Sequence, residues 1–146
     1  MLILIVFISG IVGTGLMSLF NFFVSKMINR PFRPPHVLNQ LIARQPVRPS
    51  FLKYKKISGW IIHFSIGIAF TFTYYAGIFF LNYETCLISG IIAGMIFGLL
   101  GVAGWYLIFK SHPNPPEINL SKYLLHLWLA HVVFGFGIGL VSMYYL

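Results

Sequence analysis

The sequence predicts an all-α membrane protein, a four-transmembrane-helix bundle built from two parallel helix-pair repeats. Three observations lead there. Hydrophobic residues make up 58% of the 146, and charged residues only 8%. Four long apolar segments run along the chain. Two short motifs recur, in the same order, in its first and second halves.

A soluble domain averages about 25% charged residues, and far fewer cannot solvate the surface of a water-soluble fold. The bilayer is the solvent that fits. A single membrane domain over 1–146 is expected, with helices at about 2–24, 58–81, 86–109 and 123–146. Each approaches the ~20 residues needed to cross a ~30 Å hydrocarbon core. The first has no basic run before it, exceeds a signal-peptide core and lacks a clear small-residue cleavage site. It reads as a retained helix.

The connections differ. Residues 25–57 form a basic, proline-bearing loop, which holds eight of the ten Lys and Arg, from Lys26 to Lys56. Such a cluster sets topology and meets anionic lipid headgroups, and no nucleic-acid recognition motif accompanies it. Within it, HVLNQLIAR suits a short interfacial helix, with Val37, Leu38, Leu41 and Ile42 toward lipid. The short turn Asn82–Thr85 makes the second and third spans an antiparallel hairpin. The third connection, KSHPNPPEINLSK, carries prolines that disfavour continued helix, and Asn119 or Ser121 suits the cap of the last span. By the positive-inside rule the first and third connections are cytoplasmic, and both termini face outward.

The repeat is carried by two matches. Ile8-Ser9-Gly10-Ile11-Val12 parallels Ile88-Ser89-Gly90-Ile91-Ile92, and Trp60-x-x-His63-x-x-x-Gly67 parallels Trp128-x-x-His131-x-x-x-Gly135. A helix pair returns the chain to its starting side, so two such pairs share one orientation. Gly10-x-x-Gly13-Thr14-x-x-Met17 and AHVVFGFGIG also look like several bacterial families of small four-helix membrane proteins, known as domains of unknown function. The resemblance covers most of the helical part and leaves out the basic loop. It implies a bacterial cytoplasmic (inner) membrane and supplies no activity.

Lipid tails are as apolar as Leu, so membrane helices associate by close packing and interhelical hydrogen bonds. Gly90, Gly94, Gly98 and Gly101 fall on one face of the third span, for contact within the bundle or in a homodimer. Gly10, Thr14, Ser18, Asn21 and Ser25 stripe the first span. His63, Gly67, Thr71 and Tyr75 stripe the second, and His131, Gly135, Gly139 and Met143 the fourth.

Ionisable residues inside a span are functional candidates. His63 and His131 each lie a turn or two from the cytoplasmic end, on a glycine-bearing face. They either brace neighbouring helices, with Ser9, Thr14, Ser18 or Ser89 as partners, or face a shared centre. There they would relay a proton or act as axial ligands of a haem. Two His make a poor zinc site. His36 and His112 read as surface residues and His126 as interfacial. Trp60, Tyr54, Tyr123 and Trp128 form one aromatic belt, and Tyr83, Tyr144 and Tyr145 the other.

Catalytic constellations are missing. Glu84 and Glu117 are the only acids and Cys86 the only cysteine, so paired-carboxylate chemistry and a CxxC pair are excluded. No GxSxG elbow, HExxH motif or phosphate loop occurs. Three functions are compatible. The first is a non-enzymatic subunit or scaffold acting through other membrane subunits or self-association. The second is a small oligomeric transporter or channel with a His-lined centre. The third is a haem-binding redox subunit.

The orientation is testable. An Arg48→Cys variant is expected to react with a membrane-impermeant maleimide only after cells are opened. Labelling from outside intact cells would overturn the assignment.

Overall fold

The computed structural model describes residues 2–28, 32–46 and 57–145. Five helices follow in order: α1 (Leu2–Met27), α2 (Pro34–Ala43), α3 (Ser58–Leu81), α4 (Leu87–Ser111) and α5 (Leu120–Tyr145). All but α2 are long and apolar enough to cross a membrane. At 1.5 Å per residue, 24 to 26 residues reach about 36–39 Å, so each outlasts the ~30 Å core. Residues 47–56 of the basic loop lie outside the described residues, Tyr54 and Arg48 among them.

Local chemistry sets the helix ends. Asn82 closes α3 in the left-handed region (φ 51°), with its N–H on the Ile78 and Phe79 carbonyls. Asparagine tolerates that region better than most residues. Cys86 and Ser89 open α4 with a reciprocal capping box. The Ser89 N–H donates to the Cys86 Sγ (3.3 Å), and the Cys86 N–H to the Ser89 Oγ (3.0 Å). Hydrogen bonding from Ser89, its backbone N–H foremost, holds the Cys86 thiol below its ordinary pKa. Asn119 caps α5, its Oδ1 accepting from the Lys122 N–H at 3.1 Å. Pro34 and Pro35 begin α2, where a missing N–H loses nothing.

The helices do not pack in simple hairpin order. α4 lies along α5 over most of its length, α5 against α1, and α1 against α3. Consecutive α3 and α4, joined by the short turn, barely touch. Burial makes α5 the centre: 56% of its most apolar stretch is buried, against 22% for α3 and for α4.

Backbone-to-backbone approach explains the α4–α5 contact. A Cβ on Gly90 would lie 2.7 Å from the Gly139 Cα, and one on Gly94 would lie 2.8 Å from the Gly135 Cα. The stripe Gly90, Gly94 and Gly98 is therefore occupied within the chain, by α5. That contact takes the face which a homodimer would need.

Polar bonds lock the far end, opposite the basic loop. Ser142 Oγ donates to the Ile138 carbonyl (2.9 Å), which makes it the acceptor of the Tyr75 hydroxyl (2.9 Å). Tyr75 in turn accepts from Ser9 Oγ (2.8 Å), so one chain of bonds ties α1, α3 and α5. Ser89 Oγ donates to the Cys86 carbonyl and so accepts from the Tyr74 hydroxyl (2.8 Å), a polar link between α3 and α4.

At the basic end several expectations change. α2 does form, but Val37 and Leu41 are buried, packing with Phe32, Phe109 and Tyr123 instead of facing lipid. Three bonds dock it: Asn39 Oδ1 accepts from the Gly59 N–H, His112 Nε2 meets the Leu41 carbonyl, and Arg44 donates to the Pro115 carbonyl. His112 is thus a buried latch, not a surface residue. His126 is also buried, stacked on Phe20 at 5.5 Å between ring centroids. Tyr123 is fully buried instead of sitting in a belt, and Met143 is exposed although its stripe is buried.

Two variants test the packing. Gly94→Leu forces a branched side chain into the α5 backbone and is expected to cost about 1–3 kcal/mol or prevent folding. The lipid-facing Leu99→Ile should be tolerated. Tyr75→Phe should lose about 1 kcal/mol, near the ~0.6 kcal/mol typical of each membrane hydrogen bond. Thermal unfolding in detergent reads all three. A Gly94→Leu protein as stable as the parent would remove the close-approach account.

Candidate intramembrane site

A cavity of about 220 Å³ occupies the seam where α3 and α4 part. α1 and α5 supply its back wall through Thr14, Met17, Leu127 and Phe134. Pro34 and Leu38 of α2 contribute at the basic end. Its rim carries Ile66 of α3 and Leu100 and Ile108 of α4, whose side chains are exposed on the apolar surface of the spans. The mouth therefore opens sideways, toward where lipid would lie.

Both repeat histidines line this cavity. His63 is half-buried, and its Nε2 lies 3.2 Å from Ser18 Oγ, one of the partners expected for it. His131 is 7% exposed, and its Nδ1 meets the Leu127 carbonyl of its own helix at 2.8 Å. A carbonyl only accepts, so Nδ1 carries the hydrogen. No described residue hydrogen-bonds to Nε2. That side of the ring lies over Gly101, where a Cβ would be 3.2 Å from Nε2. Phe70, stacked face to face on Phe97 at 4.7 Å, presents an edge to the same ring.

The glycines divide between two places. Gly67 lines the cavity, where Thr14 Oγ1 presses so closely over it that a Cβ would collide. Gly90, Gly94, Gly98, Gly135 and Gly139 lie outside the cavity lining, in the α4–α5 contact. Gly101 and Gly104 give the α4 wall its hollow. Gly104, Trp105 and Phe70 were missed as site residues. Gly98, Gly101 and Gly104 step by three, which is the one sequence signal that pointed there.

Among the described residues, buried polar atoms without a protein partner are Thr14 Oγ1, both side-chain ends of Asn21, Tyr123 OH and His126 Nε2. Such groups are few in most proteins. Ser9 and Ser89, candidates as histidine partners, are instead engaged with tyrosines at the far end.

The donor set constrains the chemistry. Among the described residues no three His, Cys, Asp or Glu side chains come close enough to share a metal ion. Zinc sites use three or four protein ligands, which this cavity does not offer. Its volume is below the roughly 300–1,000 Å³ of pockets for drug-sized ligands, and so is small for a porphyrin. The site is a narrow, mainly apolar slot whose polar lining residues are Thr14, His63, Trp105 and His131.

No curated protein and no solved structure matches this chain. The sequence model of one family matches residues 2–146, and the chain belongs to that family, DUF6789, a family of unknown function.

Proposed function

We propose that this protein is a non-enzymatic membrane subunit whose working part is the slot between α3 and α4, holding a small lipid-soluble molecule. The observation that carries this is the sideways-opening cavity with His63 and His131 on its walls. An imidazole without a partner costs roughly 1–3 kcal/mol when buried, so His131 is an expensive residue if its free nitrogen meets nothing. The slot is mostly apolar elsewhere, which suits a ligand arriving from the bilayer and not an ion arriving from water. That favours binding over a water-filled, His-lined channel.

We also read the chain as two parallel helix pairs in a bacterial inner membrane, with both termini outside. Three contacts support the repeat. Gly10 packs on Thr71 as Gly90 does on Gly139, Thr14 on Gly67 as Gly94 does on Gly135, and Ser18 lies by His63 as Gly98 does by His131. Each member of the first pair holds the same motif position as its counterpart. The basic segment after α1 supports the orientation and an anionic-lipid contact.

Retained ligand is the test. The full chain is purified in mild detergent, extracted with organic solvent, and compared by mass spectrometry with a Gly104→Leu variant. Among the described residues nothing lies within 4 Å of the Cβ position at Gly104, so a leucine there starts from open space and extends into the slot. The parent should retain an apolar molecule that the variant loses. Identical extracts would sink the pocket reading.

A further inference from the structure

The chemistry of the molecule in the slot follows from His131. Its Nδ1–H is committed to the Leu127 carbonyl at 2.8 Å. A neutral imidazole has one N–H and one lone pair, so Nε2 presents the lone pair. Nothing in the spans would balance an imidazolium. The only acids are Glu84 and Glu117, and both are exposed in the connections beyond the helix ends. Charge in the hydrocarbon region is costly, and here no partner offsets it. The atom turned toward the cavity is therefore an acceptor.

Three further observations define what it accepts from. His131 is more than nine-tenths buried, and Nε2 has no hydrogen-bond partner among the described residues. The ring edge that carries Nε2 lies over Gly101, whose missing side chain leaves it clear. Besides the polar groups of Thr14, His63 and Trp105, the remaining walls are apolar, among them Met17, Leu38, Phe70, Leu100 and Leu127. A ketone, quinone or ester carbonyl brings only lone pairs and would meet Nε2 lone pair to lone pair. An O–H donor completes the site.

Resting on the pocket reading above, we propose that the slot selects a lipid-soluble hydroxyl compound, such as a long-chain isoprenoid alcohol, whose O–H donates to His131 Nε2. The apolar body lies along the seam between Ile66 and Leu100 and extends into the bilayer. His63 does not share this role, because its Nε2 already lies against Ser18. Specificity here is the penalty for leaving the cavity-facing acceptor unmet once the ligand has excluded other partners, so removing one hydrogen from the ligand should matter more than shortening its chain.

The test uses a matched pair, geranylgeraniol and its methyl ether, which differ in the one donor. Binding to the full chain in detergent is followed by native mass spectrometry, for the parent, Gly101→Ala and Gly104→Leu. The parent should bind the alcohol about tenfold tighter than the ether, a difference of about 1.4 kcal/mol. In Gly101→Ala the added methyl crowds Nε2, and the ratio should fall toward one. Equal binding of alcohol and ether by the parent overturns hydroxyl recognition and leaves the pocket reading standing. Binding no stronger than in Gly104→Leu overturns both. An unchanged ratio in Gly101→Ala places the hydroxyl elsewhere and overturns the role of His131. Should Gly101→Ala fail to fold, nitrogen-15 NMR of the histidine-labelled parent decides: a bare Nε2 on His131 supports the proposal, and a protonated Nε2 overturns it.

Discussion

Gly90 and Gly94 of α4 meet Gly135 and Gly139 of α5 with no side chain between them, and the rest of the arrangement depends on that contact. Water does not drive helices together inside a bilayer, where lipid is as good a solvent for leucine as another helix is. What remains is dispersion between closely fitted surfaces and a few interhelical hydrogen bonds. Glycine permits the closest fit. The same device recurs between α5 and α1, where a Cβ on Gly137 would come within 2.8 Å of the Gly13 Cα. α5 thus has a glycine-paved approach on two sides, which is why it becomes the buried centre.

The opening between α3 and α4 is a consequence. Bringing α4 onto α5 by backbone contact draws it away from α3, and α3 is held on α1 by Gly10, Gly67 and the Ser9–Tyr75 bond. The turn Asn82–Thr85 keeps the two helices together at the far end, where Tyr74 reaches Ser89, and the Phe70–Phe97 stack still joins them at mid-span. Toward the basic end they diverge. α2 then folds inward, with Val37 and Leu41 buried and three bonds holding it at the basic ends of α3 and α4. The slot is what lies between that divergence and that cap.

Much of this was legible along the chain, because it depends on local chemistry. The spans follow from hydropathy, the α5 cap from Asn119, and the buried stripes from steps of four. His63 and His131 lie at matching places because the Trp-x-x-His spacing is itself a helical distance. What could not be read is direction around an axis when both choices are apolar. The amphipathic face of α2 fits lipid and protein equally well, and only Phe109 and Tyr123 decide it. Tyr123 near a helix end resembles a belt residue until a neighbouring segment covers it. His112 beside Pro113 looks exposed, yet the α2 carbonyl at Leu41 comes to it from far along the chain. The short turn pointed to α3–α4 packing, since chain adjacency is visible in sequence and the competing glycine contact with α5 is not.

The two histidines share a motif and end with different chemistry, and a single neighbouring position accounts for it. Eight residues after Gly10 stands Ser18, and eight after Gly90 stands Gly98. Ser18 gives His63 a hydroxyl at 3.2 Å on the adjacent helix. Gly98 gives His131 none. Its virtual Cβ would lie 3.0 Å from the His131 Cβ, so the helices are too close there for a polar side chain to fit. His131 turns to the Leu127 carbonyl of its own helix, and that choice fixes which nitrogen carries the lone pair. The glycine that allows α4 and α5 to touch is therefore also the residue that leaves Nε2 unsatisfied. Close packing on one side of the ring and an unmet acceptor on the other are two results of one missing side chain.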